Sequence, residues 1–124
     1  VTGKTLAPPK LRVTAPAASL SLQSLCKRYS VKRGVLPRLT GFSPRAVANW
    51  SSGRAPSAPA LKKLTELNRL LEALARLVKP KDIGPWMLQA NPAFDGSTPL
   101  QVIERGESDR LWRMIYELES GQPD

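Results

Sequence analysis

The stretch LPRLTGFSPRAVANWSSGRAPS, from Leu36 to Ser57, constrains the fold more than any other part of the chain. Leu36 and Leu39 precede Gly41, whose freedom to adopt a positive φ suits a tight turn. Pro37 falls in the first turn of a short helix, where its missing N–H costs little. Phe42 then leads into Ser43-Pro44, a helix start in which serine caps and proline takes the first helical position. In the helix that follows, Val47 and Trp50 share one face, and Gly53 supplies a left-handed stop. Apolar anchors one, six and nine positions after the turn glycine are what two short helices crossing at a steep angle require.

This pattern predicts a helix-turn-helix. Opposite the anchors, Ser43, Arg45, Ala48, Asn49 and Ser52 form a stripe of small and polar residues. Arg45 and Asn49, one turn apart, can reach guanine and adenine edges in a major groove. Lys27, Arg28, Lys32, Arg33, Arg38 and Arg54 form a basic flank suited to phosphates. The candidate DNA-binding residues are therefore Ser43, Arg45, Asn49, Ser52, Arg54, Arg38, Lys32 and Arg33. A plain three-helix core with a hydrated Arg45 and Asn49 is the alternative.

The charge is distributed in the same sense. Residues 1–65 hold 12 Lys/Arg and no acid, whereas residues 66–124 hold seven basic and ten acidic side chains, within a net charge of +9. Solvation explains cations but not the absence of carboxylates over half a chain, so the first half is expected to meet polyanions.

Several functions are excluded by composition. With no His and one Cys, the usual imidazole base, a Cys/His zinc site and an intramolecular disulfide are all ruled out. Cys26 lies in an apolar helical pattern and reads as a buried, bland thiol. The lone GKT at Gly3 to Thr5 lacks the upstream glycine and the strand of a P-loop. We therefore expect no catalysis, no cofactor and no metal. No apolar run is long enough to cross a bilayer, and prolines interrupt the first 20 residues where a signal peptide would carry its apolar core. The chain reads as cytoplasmic, without a membrane partner.

The expected architecture is all-α: an N-terminal helix-turn-helix domain joined by a long helix to a small C-terminal helical domain. Residues 1–18, with Pro8, Pro9 and Pro16, read as a disordered basic arm. Residues 19–60 form the helix-turn-helix domain, opening with a helix capped by Ser19 or Ser21 and carrying Leu20, Leu22, Leu25, Cys26 and Tyr29. Pro56 and Pro59 end that unit. A connecting helix at 61–79 follows, with Leu61, Leu64, Leu67, Leu70, Leu71, Leu74, Leu77 and Val78 in one band before Pro80 ends it. The band is wider than one small domain needs, so it predicts a homodimer. Residues 80–124 hold two further helix signatures. Thr98-Pro99 with Gln101 is a possible capping box. Ser108 can cap a last helix with Leu111, Ile115 and Leu118 on one face and Trp112 and Tyr116 on an adjoining one.

These residues carry a resemblance. FSPRAVANWSSGRAPS, followed by Trp86, Asn91-Pro92, Phe94, Gly96, Pro99-Leu100, Ile103, Gly106-Glu107, a closing amphipathic helix and Gly121, resembles the antitoxins of the Xre/MbcA/ParS family over about residues 20–122. The helix-turn-helix alone is weakly specific; joined in this order to the second set it is considerably more so. The resemblance implies a type II toxin-antitoxin pair whose partner is a RES-domain toxin, an enzyme that consumes NAD or transfers ADP-ribose from it. It implies that the last helix and tail cover the toxin's NAD site, and that in some members the complex binds its own operator DNA. Residues 80–124 then become the toxin-binding domain. Trp112 and Tyr116 become its apolar anchors, and Glu117, Gln122 and Asp124 the groups that enter or cap the NAD site. The extended basic arm departs from the shortest members.

A stand-alone helix-turn-helix repressor is the alternative function, and a small basic RNA- or ribosome-associated protein a third. A RES-type reading frame immediately downstream would separate the first from both.

Overall fold

The structure, a computed structural model, describes residues 15–121. Among the described residues there are seven α-helices, two 3₁₀ turns and no strand, which is the all-α class expected. Most of the arm lies outside the described residues. Its last part does not: α1 runs Ala15–Tyr29, starting a turn ahead of Ser19. Pro16 falls in that first turn, where a proline removes no intrahelical bond. The helix closes with Ser30 in the left-handed region (φ 55°), and the Val31 N–H donates to the Cys26 carbonyl at 3.0 Å, the outer bond of a Schellman end.

After a 3₁₀ turn at Arg33–Val35, α2 spans Leu36–Thr40, with Pro37 in its first turn. It stops at Gly41 (φ 79°), whose N–H donates to the Pro37 carbonyl at 2.7 Å. Next, α3 spans Pro44–Ser51 and is capped as anticipated, the Ala46 N–H donating to Ser43 Oγ at 3.1 Å. Buried Thr40 pins the intervening turn: its hydroxyl donates to the Leu36 carbonyl at 2.8 Å and accepts from the Phe42 N–H at 3.2 Å.

The long helix, α4, spans Ala58–Leu74. Pro59 opens it and does not close the preceding unit, because Ser57 caps by accepting from the Ala60 N–H at 3.3 Å. The leucine band is only partly as expected. Leu64, Leu67, Leu70, Leu71 and Leu74 are buried, Leu61 is exposed, and Leu77 and Val78 sit half-buried in the turn after the helix. The band packs on α1, α2 and two later helices of its own chain, so its width is used within the chain.

One element was not anticipated. Beyond Pro80, expected only as a stop, α5 spans Pro80–Met87 with Pro85 inside it. It packs against α1 and buries Ile83, Gly84 and Met87. A 3₁₀ turn at Pro92–Phe94 follows, its Asn91 side chain accepting from the Ala93 N–H.

The capping box that starts α6 (Pro99–Glu104) is complete. The Gln101 N–H donates to Thr98 Oγ1 at 3.0 Å and the Thr98 N–H to Gln101 Oε1 at 2.8 Å. For α7 (Ser108–Glu119), Ser108 is the first helical residue and not the cap. Glu107 takes the capping position, and its carboxylate instead accepts from Arg110 at 3.1 Å and Arg105 at 3.4 Å. One continuous apolar cluster runs from Leu22 on α1 to Ile115 on α7. The expected units therefore share a core, with α4 passing through it.

Candidate functional site

Two surfaces stand out, one built on α3 and one on α7. On α3, Val47 and Trp50 are buried, and Trp50 meets the Phe42 ring edge-on at 5.4 Å. This anchoring turns the opposite stripe outward: Arg45, Ala48 and Ser52 are exposed and Asn49 is half-buried. Ser43 is exposed with its hydroxyl occupied by the cap. The Asn49 carbonyl accepts from the Arg54 N–H at 2.9 Å and the Ser52 hydroxyl at 3.0 Å, which fixes the chain leaving the helix.

Lys27, Arg33 and Ser51 line one hollow with Leu22, Gln23 and Cys26. Cations of α1 and the 3₁₀ turn are thus brought beside the end of α3. Lys32 and Arg54 are exposed, and the Arg28 guanidinium lies over the Tyr29 ring at 5.4 Å. Arg38 differs from the other candidates. It pairs through two bonds, at 2.6 and 2.8 Å, with Glu104 at the end of α6, so it ties the α2–α3 unit to the C-terminal half. Burial pushes the Cys26 thiol up against the smaller opposing pull of Arg33. Cys26 is half-buried and not buried as expected, and a thiol held in its neutral form is a weak nucleophile.

On α7, Leu111 and Ile115 are buried, whereas Trp112 is 41% exposed, Tyr116 71% and Leu118 58%. Leu118 is a correction: it follows the core periodicity, but the helix has by then run past the core. Trp112 forms one wall of a groove of about 340 Å³ whose other apolar lining comes from Leu39, Leu67, Leu70 and Ile103, with Lys63 on α4. Glu117 is exposed and lines a neighbouring hollow with Phe94, Arg110, Arg113 and Met114. Glu119 is held by Arg76, which donates at 2.5 and 3.1 Å, and this pairing lowers its pKa. Gln122 and Asp124 lie outside the described residues.

Sequence reasoning missed the pairs Arg38–Glu104 and Arg76–Glu119 and the turn-pinning role of Thr40. Each joins residues whose proximity only the fold creates, except that a Thr just before a glycine turn is a local signal that was available.

No protein-family model matches the chain. It is similar to the mycobacterial cidal antitoxin MbcA of Mycobacterium bovis and of Mycobacterium tuberculosis, with 29% identity over 80 residues that take in 64% of this chain and 71% of each relative. It also superposes on a chain of the crystal structure of the M. tuberculosis MbcT-MbcA toxin-antitoxin complex, with a TM-score of 0.65 and 22% identity over 84% of this chain and 95% of that one. At that identity the structural likeness shows a common fold.

Proposed function

We propose that this chain is the antitoxin of a toxin-antitoxin pair, and that α7 with the residues after it docks onto the toxin. The observation that carries the reading is the exposed Trp112 and Tyr116 on α7 of a chain similar in sequence to MbcA. Aromatic side chains held partly in solvent by a rigid helix are the anchors that dominate protein interfaces. In this reading the chain works by binding in the cytoplasm and performs no catalysis.

The toxin is assigned to the RES-domain class that degrades NAD or transfers ADP-ribose from it. Such an enzyme presents cations to a pyrophosphate, and an acidic segment entering the site competes for them. Glu117 and Asp124 are the acids assigned to that role, with Gln122 entering or capping the site beside them. Glu119, engaged by Arg76, is left out of it.

A second activity, operator binding, is favoured by the acid-free first half of the chain and the outward Arg45–Asn49 stripe. Here α2 and α3 act as a helix-turn-helix with α3 in the major groove, and two copies address two half-sites. The same surface without a toxin would make a stand-alone repressor.

Deleting Ser120 to Asp124 tests the principal reading, since the core among the described residues ends at Ile115. In cells expressing the cognate toxin, the truncated chain should fold and accumulate normally while NAD falls further than with the full chain. Undiminished protection at equal abundance would place inhibition elsewhere than the tail.

A further inference from the structure

The last turn of α7 has no core to hold it. Ile115 is the last buried residue of the helix, and every residue from Tyr116 to Gly121 is exposed. The electrostatics of that turn are also adverse. Glu117 and Glu119 fall in it and no basic residue does, whereas the carbonyl end of a helix favours cations. Left to itself, such a turn frays.

The missing cation comes from another part of the chain. Arg76, in the turn that follows α4, donates to both carboxylate oxygens of Glu119, at 2.5 and 3.1 Å. Arg76 stands on a firm base: the Leu77 and Val78 N–H groups both donate to the Leu74 carbonyl at 2.9 Å, and both side chains pack on the core. Two further features complete the helix end. The Ser120 hydroxyl donates to the Glu117 carbonyl at 3.1 Å, and Gly121 (φ 74°) takes the left-handed conformation that turns a chain off the helix axis. Both members of the Arg76–Glu119 pair are partly open to solvent, so the pair adds little to global stability. What it fixes is local: the place and direction in which the chain leaves α7.

We infer that Arg76 is a positioning residue for the end of α7, and that by holding Glu119 it orders the turn that carries Glu117 and starts the tail. The geometry stands by itself, while its purpose rests on the antitoxin reading. A segment ordered before docking loses less conformational freedom when it binds, so affinity rises without a new contact. Arg76 acts on inhibition in this way without touching the toxin.

Backbone amide relaxation of the free, full chain tests the geometry. In Arg76→Ala the order parameters of Leu118 to Gly121 should fall from about 0.85 to below about 0.6, while those of Leu111 and Ile115 stay near about 0.85. Inhibition of NAD consumption by the cognate toxin tests the purpose. Arg76→Ala and Arg76→Glu should each raise the inhibition constant by about fivefold or more, with the circular dichroism spectrum and urea midpoint of the wild type. The double variant R76E/E119R should recover both order and inhibition, because the pair re-forms with its charges exchanged. A direct contact between Arg76 and the toxin would not be rescued by that exchange. Unchanged order parameters in Arg76→Ala would overturn the inference whatever the toxin does. Lost order with wild-type inhibition, or a double variant as weak as Arg76→Glu, would overturn it as well. Failure of the antitoxin reading is distinguishable: the wild-type chain would then not inhibit the enzyme at all, while Arg76→Ala would still loosen the turn.

Discussion

Gly84 on α5 lies directly against the backbone of Ser30 at the end of α1: a Cβ added at Gly84 would sit 2.0 Å from the Ser30 carbonyl oxygen and 2.8 Å from that of Tyr29. Only a residue without a side chain permits this approach. It is here that the C-terminal half packs on the first helix.

Gly84→Ala should therefore destabilise the chain by about 1–3 kcal/mol, because backbone rather than a movable side chain must yield. Gly34→Ala is the control. A Cβ there meets nothing within 4 Å, so its effect should stay within about 0.5 kcal/mol. Urea unfolding of both variants decides the matter, and equal stabilities would mean that the α1–α5 contact is softer than described.

The acid limb of stability should come from three glutamates. Hydrogen bonds from Arg38, Arg110 and Arg76 hold Glu104, Glu107 and Glu119, respectively, below the ordinary value of 4.5. A carboxyl whose folded pKa is depressed contributes stability that is present above its unfolded pKa and lost as pH falls through the folded one. With no His in the chain and the Cys26 thiol pushed up, the thermal midpoint should be level from about pH 6 to 8 and fall below about pH 4.5. The triple variant E104Q/E107Q/E119Q should flatten part of that fall. An unchanged acid slope would assign it to other carboxylates.

Along α7, stability and recognition should separate. Leu111→Ala should cost about 2–5 kcal/mol of folding free energy, because Leu111 is fully buried. Tyr116→Ala should cost less than about 0.5 kcal/mol of stability yet weaken toxin binding by about 2 kcal/mol or more. Calorimetric titration of the cognate toxin into each variant makes the comparison. Wild-type affinity for Tyr116→Ala would remove that residue from the interface.

On DNA, alanine at Arg45 or Asn49 should cost about 1–3 kcal/mol on the specific operator and almost nothing on random duplex. Arg38→Ala should alter neither strongly, since its guanidinium is turned to Glu104. Gel-shift titrations at two salt concentrations would show this, and equal losses on both DNAs would reduce Arg45 and Asn49 to phosphate contacts.

The parts of the fold legible in the sequence were those written in local chemistry. Ser43-Pro44 and Thr98-Pro99-Gln101 announced α3 and α6 because each cap needs only its next three residues. Gly41 announced its turn because few other residues take its φ. By contrast, α5 was hidden by its own composition: Pro80, Gly84 and Pro85 all count against a helix, and the glycine is explained only by Ser30, remote in sequence. Pro59 was read as a stop because the same residue type ends one helix and begins the next. On the α7 surface, Trp112 and Tyr116 were found by periodicity. Leu118 was assigned to the core because periodicity does not record where the rest of the protein ends. The partnership of Arg38 with Glu104, which removes one candidate from the free cations, depended on the packing of α2 against α6.

The three tryptophans occupy graded environments: Trp50 is 6% exposed, Trp86 half-buried and Trp112 41% exposed at the edge of the α7 groove. Any macromolecule that closes over α7 must dry one indole and leave Trp50 in the core where it was. Docking should therefore shift part of the intrinsic emission to shorter wavelength, and Trp112→Phe should abolish that shift. The surface thus contains its own optical probe, and its occupancy by a partner can be followed in the unlabelled protein.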